Sequence, residues 1–352
     1  MRKSLFVLLA VFIAMSTSAQ DADSTRLLPV GFKLSGYADV YYKYNLNENN
    51  TDNKTSFTNS HNSFELGMVS LKLESSFKNV GFVADLGFGQ RAEEFAYNDE
   101  NTRLAIKQLY INYAPTDWLK FTMGSFGTHV GYELVDAYAN RNYSMSYMFS
   151  YGPFFHTGVK ADFSFGDHSL MVGVFNPTDL KTASWTGIKF IGAQYGYSPE
   201  SIPFAFYLNY IGGRDTFQTR NDQFDAVITY QVAEKFGLGY NGTYSMYKNG
   251  VNTNWFGSAL YLNYDPSESF GLTLRGEYLQ DKDNIKLFTD AMEYPDGGNV
   301  FALTLSGNYK VGGFTLIPEV RMDQASQNIF MKKEESTKKV SANVLLAAIY
   351  KF

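Results

Sequence analysis

From Val340 to the end of the chain, apolar residues occupy every second position: Val340, Ala342, Val344, Leu346, Ala348, Tyr350 and Phe352. Ser341, Asn343 and Lys351 sit between them among smaller apolar residues. A period of two marks one face of a β-strand. The alternation recurs along most of the chain. In the stretch 31–45, Phe32, Leu34, Ala38, Val40, Tyr42 and Tyr44 share one parity, and Lys33, Ser35, Tyr37, Asp39, Tyr41 and Lys43 share the other. Taken together, the alternating stretches predict sixteen strands, at about 31–45, 63–77, 80–90, 104–113, 118–126, 154–165, 169–175, 187–197, 204–211, 223–232, 235–247, 253–264, 269–279, 299–310, 313–323 and 340–352. A phase slip near Met68 and Val69 predicts a β-bulge in the second.

The connections alternate in length. Short turns fall at 78–79, 114–117, 166–168, 265–268 and 311–312, with a turn bounded by Pro199 and Pro203. Longer polar segments fall at 46–62, 91–103, 127–153, 176–186, 212–222, 281–298 and 324–339, and 248–252 is the one short member of that class. Such a rhythm predicts an all-β, transmembrane, antiparallel up-and-down barrel of about sixteen strands, with short periplasmic turns and long outer loops. An even count puts both chain ends on the periplasmic side. A soluble sandwich would show aromatics on one face only and would rarely use so many long strands.

The amino terminus predicts a secretory signal over 1–19: a basic pair at Arg2 and Lys3, an apolar run over 5–15, and Thr17-Ser18-Ala19 as the cleavage site. The run is too short to span a bilayer as a helix. Residues 20–352 then form one barrel domain, and no segment between Gln20 and Gly31 is long enough to fold as a plug. Losing Arg2 and Lys3 takes the formal charge from −5 to −7, which argues against nucleic acid as a partner. Aromatic residues make up 17% of the chain, with 26 Tyr and 30 Phe, as expected when alternate residues face lipid and water. Rings near the short turns, among them Tyr113, Trp118, Tyr195, Tyr197, Tyr264, Phe270 and Tyr350, predict a headgroup-level girdle. There is no cysteine, which excludes disulfides, a lipid-anchored amino terminus and thiolate metal sites. No cofactor or metal is expected.

Charge collects on the parity opposite the apolar columns, at Asp85, Lys120, His156, Lys160, Asp162, Asp225, Arg275, Glu277, Glu319, Arg321 and Asp323. A Lys or Arg on the lipid side would cost about 2–4 kcal/mol at the midplane, so these side chains are expected to face a polar, water-filled lumen. The longest loop, 127–153, carries Glu133, Asp136, Asn140, Arg141, Asn142 and five Tyr, among them Tyr143, Tyr147 and Tyr151. Loops this long are uncommon unless they pack. Folded inward, it would set Glu133, Asp136 and Arg141 against the wall charges as a constriction; folded outward, it would be a surface flap. Inward Tyr37, Tyr41, Tyr207 and Tyr261 offer faces on which sugars could stack.

Gly36 to Tyr42, Gly131-Tyr132-Glu133 through Asn140-Arg141-Asn142-Tyr143-Ser144, Ser150 to Gly158 and Pro318-Glu319-Val320-Arg321 are similar to segments of a known family. Through these the chain resembles the β-barrel porin-2, OmpL-like, outer-membrane porins of Bacteroidetes-type bacteria. The resemblance implies an outer-membrane porin-like role and supplies no substrate. The expected function is passive diffusion of small hydrophilic solutes rather than catalysis, with outer-membrane lipid and lipopolysaccharide as surroundings, recognition of the terminal Phe352 by the barrel assembly machinery, and a homotrimer as one assembly. A structural or adhesive barrel is a second reading. A barrel hydrolase is a third, for which His156 beside Tyr151 or Asp162 would be the site, although no G-x-S-x-G elbow is present.

Overall fold

The computed structural model describes residues 31–49, 53–215, 217–290, 292–333 and 336–352. The expected signal segment lies outside them. Sixteen antiparallel strands close into a barrel. They are β1 (Phe32–Asn45), β2 (Ser63–Phe77), β3 (Val80–Phe88), β4 (Ile106–Thr116), β5 (Leu119–Gly127), β6 (Phe155–Phe165), β7 (His168–Phe175), β8 (Phe190–Tyr197), β9 (Phe204–Arg214), β10 (Arg220–Ala233), β11 (Phe236–Asn249), β12 (Val251–Ser267), β13 (Phe270–Asp281), β14 (Gly298–Val311), β15 (Phe314–Ala325) and β18 (Val340–Lys351). A small hairpin, β16 (Phe330–Met331) and β17 (Thr337–Lys338), decorates the last outer loop. β18 closes the cylinder on β1, with Tyr37 opposite Lys351 and Asn45 opposite Asn343. Closure removes the unpaired sheet edges that hydrocarbon would not tolerate.

The parity read from the sequence holds. Tyr37, Asp39, Tyr41 and Lys43 are buried inside, while Val40 is exposed on the outer wall. On β18, Val340, Val344, Leu346, Tyr350 and Phe352 are exposed outward. The bulge also falls where the phase slips. Ala38 pairs with Val69 and Val40 with Leu66, so Gly67 and Met68 together oppose Asp39. The amide that the ladder leaves over is not orphaned, because Met68 N donates to Asp39 Oδ1 at 3.0 Å.

Several strand ends shift by a few residues at a glycine with positive φ, and others, such as β9 running on to Arg214 and β10 starting at Arg220, shift without one. The strand expected from 187 starts at Phe190, since Gly187 sits at φ +61°. Gly250, at φ +77°, lets the chain turn so tightly that Asn249 pairs with Val251 and both flanking strands run to the turn. Gly89, at φ +115°, ends β3 and leads into a short helix, α1 (Gln90–Phe95), in a stretch expected to be loop. At the short-turn end the expected girdle is present. Trp118 stacks with Phe163 and Phe165, and Phe236 stacks with Tyr264 at 4.6 Å.

Outward side chains near mid-strand should be intolerant of charge. Leu260→Arg, on the exposed face of β12, is expected to lower stability in bilayers by about 2–4 kcal/mol. Equilibrium urea unfolding in phospholipid vesicles measures it. Asn241→Arg, at a lumen-facing position, should not be penalised for contact with lipid.

Candidate functional site

The connection between β5 and β6 does not lie over the barrel but enters it. His129 Nε2 is 2.9 Å from the Tyr210 carbonyl oxygen, and Gly131 N donates to Asp225 Oδ1 at 3.0 Å. The Tyr132 ring stacks on Tyr261 at 4.2 Å. The chain then descends. Tyr138 meets Tyr37 with centroids 4.9 Å apart, and Lys351 Nζ lies 4.2 Å from the Tyr138 ring. At the far end Arg141 grips Asp265, beside a short turn, through two bonds of 2.6 and 3.1 Å. The return limb ends in a helical turn, α2 (Tyr147–Tyr151), whose first turn is capped by Ser146 Oγ accepting from Phe149 N. The loop therefore runs from the outer mouth almost to the periplasmic rim and back.

Irregular backbone packed against the wall, out of reach of the lumen water, must find protein partners. The wall supplies them as carboxylates. Glu319 accepts from Tyr143 N at 2.8 Å and Ser144 N at 3.1 Å, and Glu277 accepts from Tyr147 N at 2.7 Å. Within the loop, Glu133 accepts from Ser146 N at 2.7 Å. Carbonyls are met in turn by arginines: Arg275 donates to Ser144 O and Arg321 to Met145 O, each at 2.7 Å. Bonds to an ionised partner are shorter and roughly twice as strong as neutral ones.

Strand register concentrates these groups. Arg275 and Arg321 flank Thr304 in one row across β13, β14 and β15, and Glu277 and Asp323 flank Ala302 in the adjacent row. Small residues on β14 leave room for the long side chains on either side. Arg275 lies 2.6 Å from Glu133 and 3.3 Å from Glu277, and Arg321 lies 3.3 Å from Glu277 and 2.8 Å from Asp323. The Arg275 side chain is 0% exposed. Tyr147 Oη donates to Asp323 Oδ1 at 2.9 Å, and Asp39 accepts from Tyr143 Oη. On the β4 side Lys107 binds Asp85 at 3.1 Å and also Asp136 of the loop.

The predicted site residues thus divide into two groups. Arg275, Glu277, Glu319, Arg321 and Asp323 were expected to line water, but they are buried against the loop, which takes up much of their hydrogen-bonding capacity, and Glu133, expected on an inward loop to meet wall charges, lies 2.6 Å from Arg275. Asp136 and Arg141 belong to the same interface. Lys160 and Asp162 lie elsewhere, on the β5–β6 wall, 3.1 Å apart and each 24% exposed. With Lys120 (51% exposed) and the Lys72–Glu74 pair on β2 they mark the part of the lumen that the loop leaves open. The expected sugar platforms change accordingly. Tyr37, Tyr41 and Tyr261 are sealed beneath the loop and only Tyr207 remains accessible.

His156 has neither of the partners foreseen for it. Its Nε2 is 3.0 Å from Thr128 Oγ1, and its ring stacks on Phe175. The neighbouring His129 is held by burial at a pKa lowered to about 4.

Two groups escaped the sequence reading. Arg91 of α1 is fully buried, its guanidinium between the rings of Phe57 and Tyr143 at 5.0 and 4.9 Å. Asp179 accepts from Phe154 N and Phe155 N at 2.7 and 3.0 Å where the loop leaves the barrel, and burial pushes its carboxyl up to about 6. Neither residue lies in an alternating strand, so periodicity gave no signal. Between these groups opens an outer vestibule of about 490 Å³, lined by Tyr97, Tyr151, Tyr247, Asn221, Gln223 and Lys286 among others.

A family model described as beta-barrel porin-2, OmpL-like, matches residues 31–352. No curated protein matches the sequence. Among solved structures, the chain is similar to the outer-membrane channel DcaP of Acinetobacter baumannii at 12% identity and a TM-score of 0.61, covering 91% of this chain and 97% of that one. OprB of Pseudomonas putida, in its high-pH structure, gives 13% identity and a TM-score of 0.62 over 94% and 96% of the two chains. OmpT of Vibrio cholerae, in a trimer form, gives 11% and 0.59 over 91% and 99%. At these identities the likeness is one of fold.

The buried charges tie the loop to the wall. Arg275→Gln leaves Glu133 without its cation and Glu277 with one fewer, a loss expected to cost about 3–5 kcal/mol. Limited proteolysis should then cut within the loop, which is expected to resist cleavage in the wild type, and the unfolding midpoint should fall.

Proposed function

The chain belongs to the β-barrel porin-2, OmpL-like, family and is an outer-membrane channel; from that premise we propose that its conduit is a crescent bounded on one side by the inserted loop. The open side is the wall of β2 to β8. The carrying observation is the contrast between the two arcs of the lumen: Arg275 and Arg321 are at most 2% exposed, whereas Lys72, Lys120 and Lys160 are between 24% and 51% exposed. Solutes enter through the vestibule at Tyr97, Tyr151 and Tyr247 and pass along the Lys72–Glu74 and Lys160–Asp162 pairs. These are small hydrophilic molecules, since both signs of charge are presented along the path. Lys72, Lys120 and Lys160 face Glu65, Glu74 and Asp162 there, so the reading includes no strong preference for either sign. In this reading Glu133, Asp136 and Arg141 shape the constriction by anchoring the loop, and Lys160 and Asp162 line it.

We read the chain as a conduit without hydrolytic chemistry. Supporting this, neither His129 nor His156 has a carboxylate partner among the described residues, and both are packed against Phe175. The trimer form of the Vibrio cholerae protein motivates a homotrimer here as well. Removal of 1–19 followed by folding of 20–352 as one barrel completes the proposal.

Planar-bilayer recording tests it. Deleting residues 138–148 should raise single-channel conductance several-fold, with heat-modifiability on gels confirming a folded barrel. Lys120→Glu combined with Lys160→Glu should move the reversal potential in a salt gradient toward cation selectivity while conductance stays similar. Unchanged conductance on deletion, or unchanged selectivity in the double variant, would reject the crescent as the path.

A further inference from the structure

On the lipid-facing surface, where the outer ends of β8, β9 and β10 meet, lies a groove of about 400 Å³. Ile191, Tyr210 and Gly212 form its floor, and Lys189, Arg214 and Arg220 its rim. The groove belongs to the outer wall rather than the lumen. Tyr210 pairs with Phe224 and Gly212 with Asp222, while the intervening Ile211–Gln223 pair faces inward. Gly212 permits it, because a Cβ there would lie 2.2 Å from Tyr210 Oη, whose ring crosses the glycine.

The charge in this groove is not balanced. Arg214 and Arg220 are direct cross-strand partners. Like charges set opposite each other destabilise a strand pair. Asp222 neutralises one of them, accepting from Arg220 Nη2 at 2.6 Å through Oδ1 and from Nε at 2.9 Å through Oδ2. Asp215, the other acid nearby, turns onto its own loop and accepts from Phe217 N and Thr219 N. Arg214 donates to the Gln218 carbonyl and Lys189 to the Ile188 carbonyl, and among the described residues neither has an ion pair. Beneath these cations the outer face is apolar, with Ile191, Leu208 and Phe224 exposed. Positive charge therefore sits where the greasy belt gives way to the long-loop end, the depth of the outer-leaflet headgroups.

We infer that this groove binds a phosphorylated lipid of the outer leaflet. Phosphate oxygens would bridge Arg214 and Lys189 and relieve the Arg214–Arg220 repulsion, with the planar guanidinium presenting paired N–H donors. An acyl chain would lie along Ile191 and the Tyr210 ring. The recognised chemistry is a phosphomonoester or phosphodiester attached to a hydrocarbon tail, and both parts are needed for it to stay at this depth.

The test uses the full barrel folded into phosphatidylcholine vesicles with and without a minor fraction of bisphosphorylated lipid A. A ligand bound only by the folded form raises its stability by mass action. The midpoint of heat-modified migration is expected to rise with lipid A for the wild type. It should not rise for Lys189→Gln with Arg214→Gln, nor with dephosphorylated lipid A, nor with inorganic phosphate in the buffer. Lys189→Arg with Arg214→Lys keeps both charges and should retain the shift, which separates lost binding from lost folding. An equal rise in the Gln double variant would overturn the inference, and so would a rise with inorganic phosphate alone. If the Gln double variant loses an oligomer seen by cross-linking without any change in lipid response, the groove is a contact between copies and the inference also fails.

Discussion

Backbone that leaves the sheet inside a membrane-spanning barrel must still have every N–H and C=O met. That constraint organises this molecule. The loop between β5 and β6 brings a long irregular segment into the lumen, and the wall answers with Glu277, Glu319 and Asp225 as acceptors and Arg275 and Arg321 as donors. Arg275 and Arg321 are also paired with Glu133, Glu277 and Asp323, whereas Glu319 and Asp225 are buried without an ion pair among the described residues and rest on hydrogen bonds from amides and neutral side chains. Taking such groups out of water costs several kcal/mol per ion, and mutual pairing offsets this only where geometry is good and the remaining hydrogen bonds are made. Here the loop's own amides and carbonyls make many of them, while Arg275 Nε and Glu277 Oε1 meet only as an ion pair at 3.3 Å.

The consequence is an asymmetric lumen. Behind the loop, Trp255, Leu279, Val300, Ala302 and Phe330 pack with Tyr147 and Met148 into something close to a soluble protein's core. In front of it, lysines and acids remain in contact with water. A sixteen-stranded cylinder is wide enough to hold both, which an eight-stranded one is not. The loop thus changes the effective pore without changing the wall, and evolution of its sequence can alter passage while leaving the strands intact.

Most of the wall was legible in the sequence because a period of two is enforced by lipid on one side. Strand count, strand order, inward parity of the charged residues and the bulge at Met68 all follow from that one pressure. The interior was harder. Parity says that Arg275 points inward but not whether water or protein awaits it. A signal did exist: inner positions of β18 are Leu345, Ala347 and Ile349, apolar on the face expected to be wet, and these pack under the loop around Ala137. On β5 and β6 the corresponding positions are Lys120, Thr122, Lys160 and Asp162. Two-faced apolarity thus marks β18 as covered wall, but β13 and β15 carry charge at their inward positions and are covered all the same, so the pattern gives only part of the boundary. Asp179 and Arg91 carried no such mark, since connecting segments have no period and their contacts come from distant parts of the chain.

The absence of cysteine allows the loop's position to be read by chemistry alone. Met145→Cys places a single thiol on the return limb of the loop, at a side chain that is fully buried between loop and wall. In intact outer membranes position 145 is expected to stay unlabelled by a bulky, membrane-impermeant maleimide and to react only after the barrel is unfolded by heat. Rapid labelling of position 145 from outside in the folded barrel would contradict the inserted loop.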